Sequence, residues 1–536
     1  MRFDPLYNPH TSQRMTTYAR NGMVATSQPL ASQAGIEMLK KGGNAIDAAI
    51  ATAAALTVLE PTSNGIGGDA FALVYTGNKL HGLNASGAAP QSISIESLRA
   101  KGYKEMPNYG LTPVTVPGAP GAWVSLSDRF GSLPFSTLLE PAIEYAEQGY
   151  PLTPILGFHW QKAYKQFCNI LQGEEFESWF DTFAPTGRAP EVGEIWSSKG
   201  HARTLKAIAE TKGEDFYKGE IAEKIDKFSK KHGGFLSKLD LAMYQPEWVD
   251  PIKVNYRGFD IWEIPPNGQG LVALLALNLV KEYKFKEKDS IETYHRQIEA
   301  LKLAFSDGLH YITDSEKMKV KVEELLSDSY ANRRRKLITH EATLPQAGQP
   351  VRGGTVYLAT ADRDGNMVSF IQSNYKGFGS GIVIPGTGIS LQNRGQSFSL
   401  DPSHSNSLEP GKKTYHTIIP GFITKDDKPI GPFGVMGGFI QPQAHFQVVM
   451  NSIDFHLNPQ TVLDAPRWQW IKNKVIEVEP SFPDHIAQGL ARKGHEIYKA
   501  VDSSNFGRGQ IIWRDPSTGV LAAGTESRTD GSVAVL

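Results

Sequence analysis

The chain has 536 residues, 40% of them hydrophobic and 21% charged, a composition that supports a large folded core and excludes a disordered protein. Its 55 lysines and arginines against 56 aspartates and glutamates leave a formal charge of -1, which gives no electrostatic reason to expect a nucleic acid or an anionic membrane as partner. A small, roughly neutral molecule is the expected partner.

The opening "MRFDPLYNPHTSQRM" lacks the apolar centre of a signal peptide. The longest apolar run, "AAIATAAALTVL" at 48–59, falls short of the ~20 residues needed to span a bilayer, so a cytoplasmic protein is expected. The stretch "ASQAGIEMLKKGGNAIDAAIATAAALTVLE" predicts helix, stop, helix. Gly42 and Gly43 suit a left-handed cap, Asn44 an N-cap, and Asp47 the first turn of a second helix that is apolar all round and belongs between layers. Next, "NGIGGDAFALVY" runs from glycines into a strand. Nucleotide loops run from strand through glycines into helix, so tight backbone packing is the better reading.

From about 90 to 330 the pattern is mostly helical, as in "FSTLLEPAIEYAEQGY" and "GLVALLALNLVKEY", broken by turns such as "IPPNGQG". The single cysteine, Cys168 in "AYKQFCNIL", has no partner for an internal disulfide and reads as a buried apolar filler. Residues 329–354, "SYANRRRKLITHEATLPQAGQPVRGG", predict an exposed, poorly ordered connector whose basic run, Arg333 to Lys336, is a solvated helix end. Beyond it, "TVYLATAD", "RDGN" and "MVSFIQS" predict a hairpin about Asp364 and Gly365. Further strands follow in "GFITKDDKPIGPFGVM" and "GQIIWRDPSTGVLAAGT". The chain therefore reads as helix-rich first and strand-rich second.

None of the 14 histidines shows H-E-x-x-H spacing, there is no cysteine cluster for zinc, and the serine-hydrolase elbow G-x-S-x-G is missing. Thr355 is the remaining nucleophile candidate. A cut between Gly354 and Thr355 would give the threonine a free α-amine beside its own hydroxyl, uniting nucleophile and general base in one residue. An α-amine with a reference pKa of ~8 is partly neutral at physiological pH. The glycines at 353 and 354 remove side chains that would obstruct attack of the hydroxyl on the preceding carbonyl. Taken alone, Gly-Gly-Thr before a strand is an ordinary loop entering a sheet.

Seven segments give it context: "GGNAIDAAIATAAALTVLEPTSNGIGGDAF", "VPGAPGAW", "YRGFDIWEIPPNGQG", "GGTVYLATADRDGNMVSF", "GFGSGIVIPGTGISLQN", "MGGFIQPQAH" and "LDAPRW". Through them the sequence resembles, over nearly its whole length, the γ-glutamyltranspeptidase (glutathione hydrolase) family of N-terminal-nucleophile hydrolases, in a divergent branch that includes cephalosporin-acylase-like proteins. The resemblance implies an α+β fold with a four-layer αββα sandwich. It also implies a precursor that cuts itself into a large subunit, 1–354, and a small subunit, 355–536, interlocked as one structural unit, with no metal or organic cofactor. Carried over residue by residue, it makes Thr355 the nucleophile, Ser373 its hydrogen-bonding partner, and Gly437 and Gly438 the donors to the oxyanion. His416 and Thr417 fall where paired hydroxyl residues meet the substrate carboxylate.

Departures from the family pattern are concentrated around substrate recognition. Val356 and Tyr357 replace a Thr-His pair, and Ser86 stands where an arginine would clamp the substrate α-carboxylate. Tyr375 and Ser397 replace the residues that hold the α-amino group, with Arg394 beside them; a surface or hairpin salt bridge is the plain alternative for Arg394, and a structural hydrogen bond for His416. The short segment from Phe398 to His416 predicts an uncovered site and hydrolysis over transfer. The expected function is a self-processing threonine amidohydrolase for γ-glutamyl amides such as glutathione. The alternatives are an acylase for carboxylate-bearing acyl groups without an α-amine, such as glutaryl or oxamate-like amides, or an unprocessed binding protein.

Overall fold

The computed structural model describes residues 14–345 and 354–536. The later part of the expected connector, including Gly353, therefore lies outside the described residues. Two seven-stranded antiparallel sheets organise a mixed fold of helices and strands. In the first, the order is Ser532–Val535, Gly22–Thr26, Gly354–Asp362, Met367–Tyr375, Asp69–Thr76, Lys79–Ala85 and Glu247–Val249. Strands from before and after Gly354 intermingle there, so neither part of the chain completes this sheet alone. The second sheet runs Thr17–Ala19, Leu521–Thr525, Arg508–Arg514, Lys428–Met436, Gly421–Lys425, Phe259–Glu263 and Ile252–Tyr256.

Three apolar clusters follow from the two-residue alternation of these strands. Tyr357, Ala359, Phe71 and Ile371 of the first sheet join Phe422, Met436 and Ile512 of the second region in one cluster. Val356, Leu358, Val368 and Phe370, pointing the opposite way, pack against the helices Ala45–Leu59, Ala119–Phe130 and Phe135–Gln148. Phe433, Val435 and Ile511 pack against Gly270–Val280, Ile291–Tyr311 and Ile440–Ile453. The helix Ala45–Leu59 is buried at every position, and Asn44 caps it in a reciprocal box with Asp47. Among the described residues no helix is long and apolar enough to cross a membrane.

Two expectations need correction. Cys168 is exposed: it follows the buried Phe167 on the helix Pro154–Ile170, and a 100° step per residue carries it to the outer side. The connector does not begin at 329, because Asp328–Arg335 is a helix docked on the body. Arg334 pairs with Asp307 at 2.9 Å, and Arg335 donates to the carbonyls of Leu279 and Asn278. The strand expected after the glycines is present as Asp69–Thr76, and it shares the sheet of Thr355 with Gly22–Thr26 and Lys79–Ala85, which the sequence reading did not single out.

Candidate active site

Thr355 opens the strand Gly354–Asp362, and alternation puts its side chain on the same face as Tyr357, towards the second sheet. The hairpin is irregular at this point. Gly354 faces Tyr375 while Val356 faces Gln372, so Ser373 and Asn374 together oppose Thr355. Such a bulge re-aims side chains. Here the Thr355 hydroxyl donates to Ser373 Oγ at 3.2 Å, and the amide of Tyr375 donates to the same oxygen at 2.8 Å. Tyr375 has a φ of 77°, a strained value for a bulky residue, which takes its ring out of the regular strand and beneath the Arg394 guanidinium, 4.1 Å from the ring centre.

Gly437 and Gly438 occupy the turn from the strand Lys428–Met436 into the helix Ile440–Ile453. Their φ values of 133° and 72° exclude ordinary side chains, and a Cβ on Gly437 would lie 2.7 Å from Ile440. The helix that follows sends Gln441 Nε2 to Thr355 Oγ1 at 3.4 Å, which ties the glycine turn to the threonine. Gln269 Nε2 donates to the carbonyls of Gly438 (2.9 Å) and Thr417 (2.6 Å), fixing both segments.

Arg394 is fully buried, so the surface salt bridge is excluded. Its Nη1 donates to Thr417 Oγ1 at 2.7 Å and its Nη2 to Ser373 Oγ at 3.5 Å, while Nε has no partner among the described residues. Burial lowers its pKa to about 10, against the opposing pull of Tyr375 and Asp69, so it stays cationic at neutral pH. Asp69 begins the strand Asp69–Thr76 and is also fully buried; burial pushes its carboxyl up to about 7 despite Arg394 and the hydrogen bond from Gln392. His416 is bonded to Asp69. Its Nδ1 accepts from the amide of Ile418 at 3.3 Å, so Nε2 carries the proton and donates to Asp69 Oδ2 at 3.0 Å. Burial and the Arg394 charge hold this histidine well below its usual pKa, hence neutral.

The structure thus brings together Thr355, Ser373, Tyr375, Arg394, Thr417, His416 and the Gly437 turn. Ser397 ends the short turn that Arg394 begins. Ser86 is held in a separate knot: its hydroxyl donates to Asn84 at 2.7 Å and accepts from Asn267 at 3.2 Å. The expected open site is not found in the uncut chain, where Thr355 is only 1% exposed. Phe398, Leu400 and Leu408 of the short segment pack into a cluster with Ala89, Ile93 and Leu98. The glycine-rich stretch behaves as a packing element: a Cβ on Gly67 would lie 2.4 Å from the Ser390 carbonyl. Sequence reasoning missed Asp69, Gln392, Gln441 and Gln269. All four lie inside quoted family segments, which was the only signal for them.

Away from this region, His295, Glu299 and His495 are buried with one ligand-capable atom each within 4.8 Å of one another. Glu299 Oε1 already accepts from the Lys302 ammonium at 2.6 Å, which competes with any cation there.

The whole-chain comparisons fit this geometry. The family model described as Gamma-glutamyltranspeptidase matches residues 31–536. The chain belongs to the γ-glutamyltranspeptidase family of N-terminal-nucleophile hydrolases. It is 36% identical over 521 residues to the glutathione hydrolase-like YwrD proenzyme of Bacillus subtilis, covering 95% of this chain and 97% of that protein. It is 32% identical over 528 residues to the oxamate amidohydrolase proenzyme of Klebsiella pneumoniae, with 96% and 98% covered. The crystal structure of a cephalosporin acylase from Bacillus halodurans superposes with a TM-score of 0.98 at 64% identity, covering 100% of this chain and 99% of that one.

Proposed function

We propose that the chain is a precursor that cuts itself before Thr355 and then hydrolyses amides whose acyl group ends in a carboxylate and carries no α-amine, of the glutaryl or oxamate type. The observation that carries this reading is Arg394: a buried cation one hydroxyl away from Thr355, bonded only to hydroxyls, with an unused Nε. A buried charge without a contact partner is costly, and an incoming carboxylate would relieve that cost. An α-ammonium would lie beside the Arg394 cation, with Tyr375 and Ser397 in place of the residues that hold it in the family pattern, and the oxygens of Asp69 are already taken by neutral donors. The relatives named for oxamate and cephalosporin acyl groups support the same choice. The stacking of the three apolar clusters supports a helix–sheet–sheet–helix order of layers around the site.

In this reaction the Thr355 hydroxyl attacks the amide carbonyl and its proton passes to the Thr355 α-amine freed by processing. The amides of Gly437 and Gly438 receive the negative charge of the oxyanion, a contribution of about 3 to 4 kcal/mol for such donors. Ser373 orients the attacking oxygen, the α-ammonium protonates the leaving amine, and water then releases the acyl group from Thr355. A second reading, γ-glutamyl amides such as glutathione, is favoured by the name of the Bacillus subtilis relative, with Arg394 on the α-carboxylate.

The test is a comparison of glutaryl and γ-glutamyl anilides on the processed enzyme. The proposal expects the glutaryl compound to have the higher kcat/KM. Arg394→Met should reduce its turnover about 30- to 1000-fold, equivalent to about 2 to 4 kcal/mol for losing a buried charge partner. Preference for the γ-glutamyl anilide would establish the second reading, and an Arg394→Met enzyme with unchanged kcat/KM would refute both.

A further inference from the structure

Asp69 takes no part in the chemistry just described, yet three loops that carry recognition residues converge on it. Gln392 Nε2 donates to its Oδ1 at 2.8 Å, two residues before Arg394. The amide of Gly87, next to Ser86, donates to the same oxygen at 3.2 Å, and His416, next to Thr417, donates to Oδ2 at 3.0 Å. Asp69 itself is fixed by the sheet, pairing with Ser373 across the strands. One carboxylate therefore ties the backbone under Thr355 to the turn that begins with Arg394 and to the segment that holds Thr417.

We infer that Asp69 is the positioning residue of acyl recognition: through Gln392 and His416 it sets the Arg394 guanidinium against Thr417 and Ser373, and its charge lets that guanidinium stay buried without a direct ion pair. The inference rests on the reading of Arg394 as the carboxylate binder. Every partner presents a donor, so the form that accepts all three is the ionised carboxylate, which prevails above about pH 7. An asparagine offers one acceptor oxygen, so its amide nitrogen would face either the His416 Nε2–H or the pair from Gln392 and Gly87, donor against donor in a dry site. His416 cannot answer by changing tautomer, because its Nδ1 already accepts from Ile418.

The sign of the effect separates positioning from simple charge. Removing a negative charge near Arg394 would by itself strengthen the attraction for an acyl carboxylate and lower KM. Loss of positioning raises it. The experiment uses the processed enzyme with glutaryl anilide and its uncharged isostere, glutaramyl anilide, comparing wild type, Asp69→Asn, Arg394→Met and the double variant. Expected for Asp69→Asn is a KM at least about tenfold higher on the glutaryl compound, kcat within about threefold, and little change on the glutaramyl compound. The double variant should be no worse than Arg394→Met alone, since Asp69 acts through Arg394. A KM that is unchanged or lower, an equal rise on both anilides, or additive losses in the double variant would overturn the inference. Should Asp69→Asn fail to process, Gln392→Met keeps the charge and cuts the link to Arg394; the same selective rise in KM is expected, and its absence refutes the role. A wild-type enzyme indifferent to the two anilides would instead refute the Arg394 reading on which the inference stands.

Discussion

Two buried polar regions of this protein are built from the same kinds of groups and come out differently. Around Thr355, a buried cation touches hydroxyls and keeps an unused N–H. Around Glu299, the buried charges pair with each other: Lys302 and Glu299 are both fully buried and in contact. Lys302 Nζ donates to Glu299 Oε1 and to the Thr343 carbonyl, both at 2.6 Å, while Glu299 Oε2 accepts from the amide and the hydroxyl of Thr343. His295 Nε2 faces the Thr339 carbonyl at 2.8 Å, which fixes its proton there and leaves Nδ1 to accept from His495 Nε2 at 2.9 Å. This second region anchors residues 339–343, the stretch of chain that precedes the proposed cut before Thr355. Ion pairing inside the protein yields an anchor, whereas a cation left without a contacting carboxylate is, in the proposed function, the place for a substrate carboxylate.

Breaking each region should give a different phenotype. The largest effect is expected at the nucleophile: Thr355→Ala should leave a single uncut chain and reduce amide hydrolysis at least about 10⁴-fold, read by denaturing electrophoresis and anilide turnover, with little change in thermal unfolding. Next is the anchor. Glu299→Ala leaves the Lys302 ammonium buried and unpaired, and should cost about 3 to 5 kcal/mol in denaturant unfolding. The folded fraction should keep its KM. If Glu299→Ala instead changed KM and spared stability, the contrast between the two regions would fail.

How much of this was legible from sequence depends on how local each signal was. Thr355, Ser373 and the Gly437–Gly438 turn lie in one hairpin and one short loop, where family segments and counting along paired strands suffice. Asp69 stood in plain view in "NGIGGDAF", but its partners lie 18, 323 and 347 positions away, and only the folded sheet brings them together. The cluster of His295 and His495 escaped for the same reason, with 200 positions between its members. Cys168 was misread because aromatic neighbours suggested burial, while helical phase, set by Phe167 and Trp160, decided exposure.

A smaller effect sharpens the anchor further. Burial, with Lys302 and His295 nearby, lowers the pKa of His495 to about 3 from its ordinary 6.5. The folded state therefore resists a proton that the unfolded state accepts, so this contribution is complete above pH 6.5 and is lost as pH falls towards 3. Wild type should lose stability by at most about 1.4 kcal/mol per pH unit from this group over that window. In His495→Gln the pH slope of thermal unfolding should be shallower between pH 6 and pH 4 by about that amount. Equal slopes would show that His495 is not buried neutral.

The central claim is that Thr355 becomes a chain terminus through its own chemistry, and intact-mass measurement with N-terminal sequencing of the freshly purified protein tests it most directly. The account predicts two fragments, the smaller beginning Thr355, Val356, Tyr357, Leu358, and a single full-length mass for Thr355→Ala. A wild-type chain that stays whole yet hydrolyses amides, or a Thr355→Ala chain that still divides at the same bond, would contradict it.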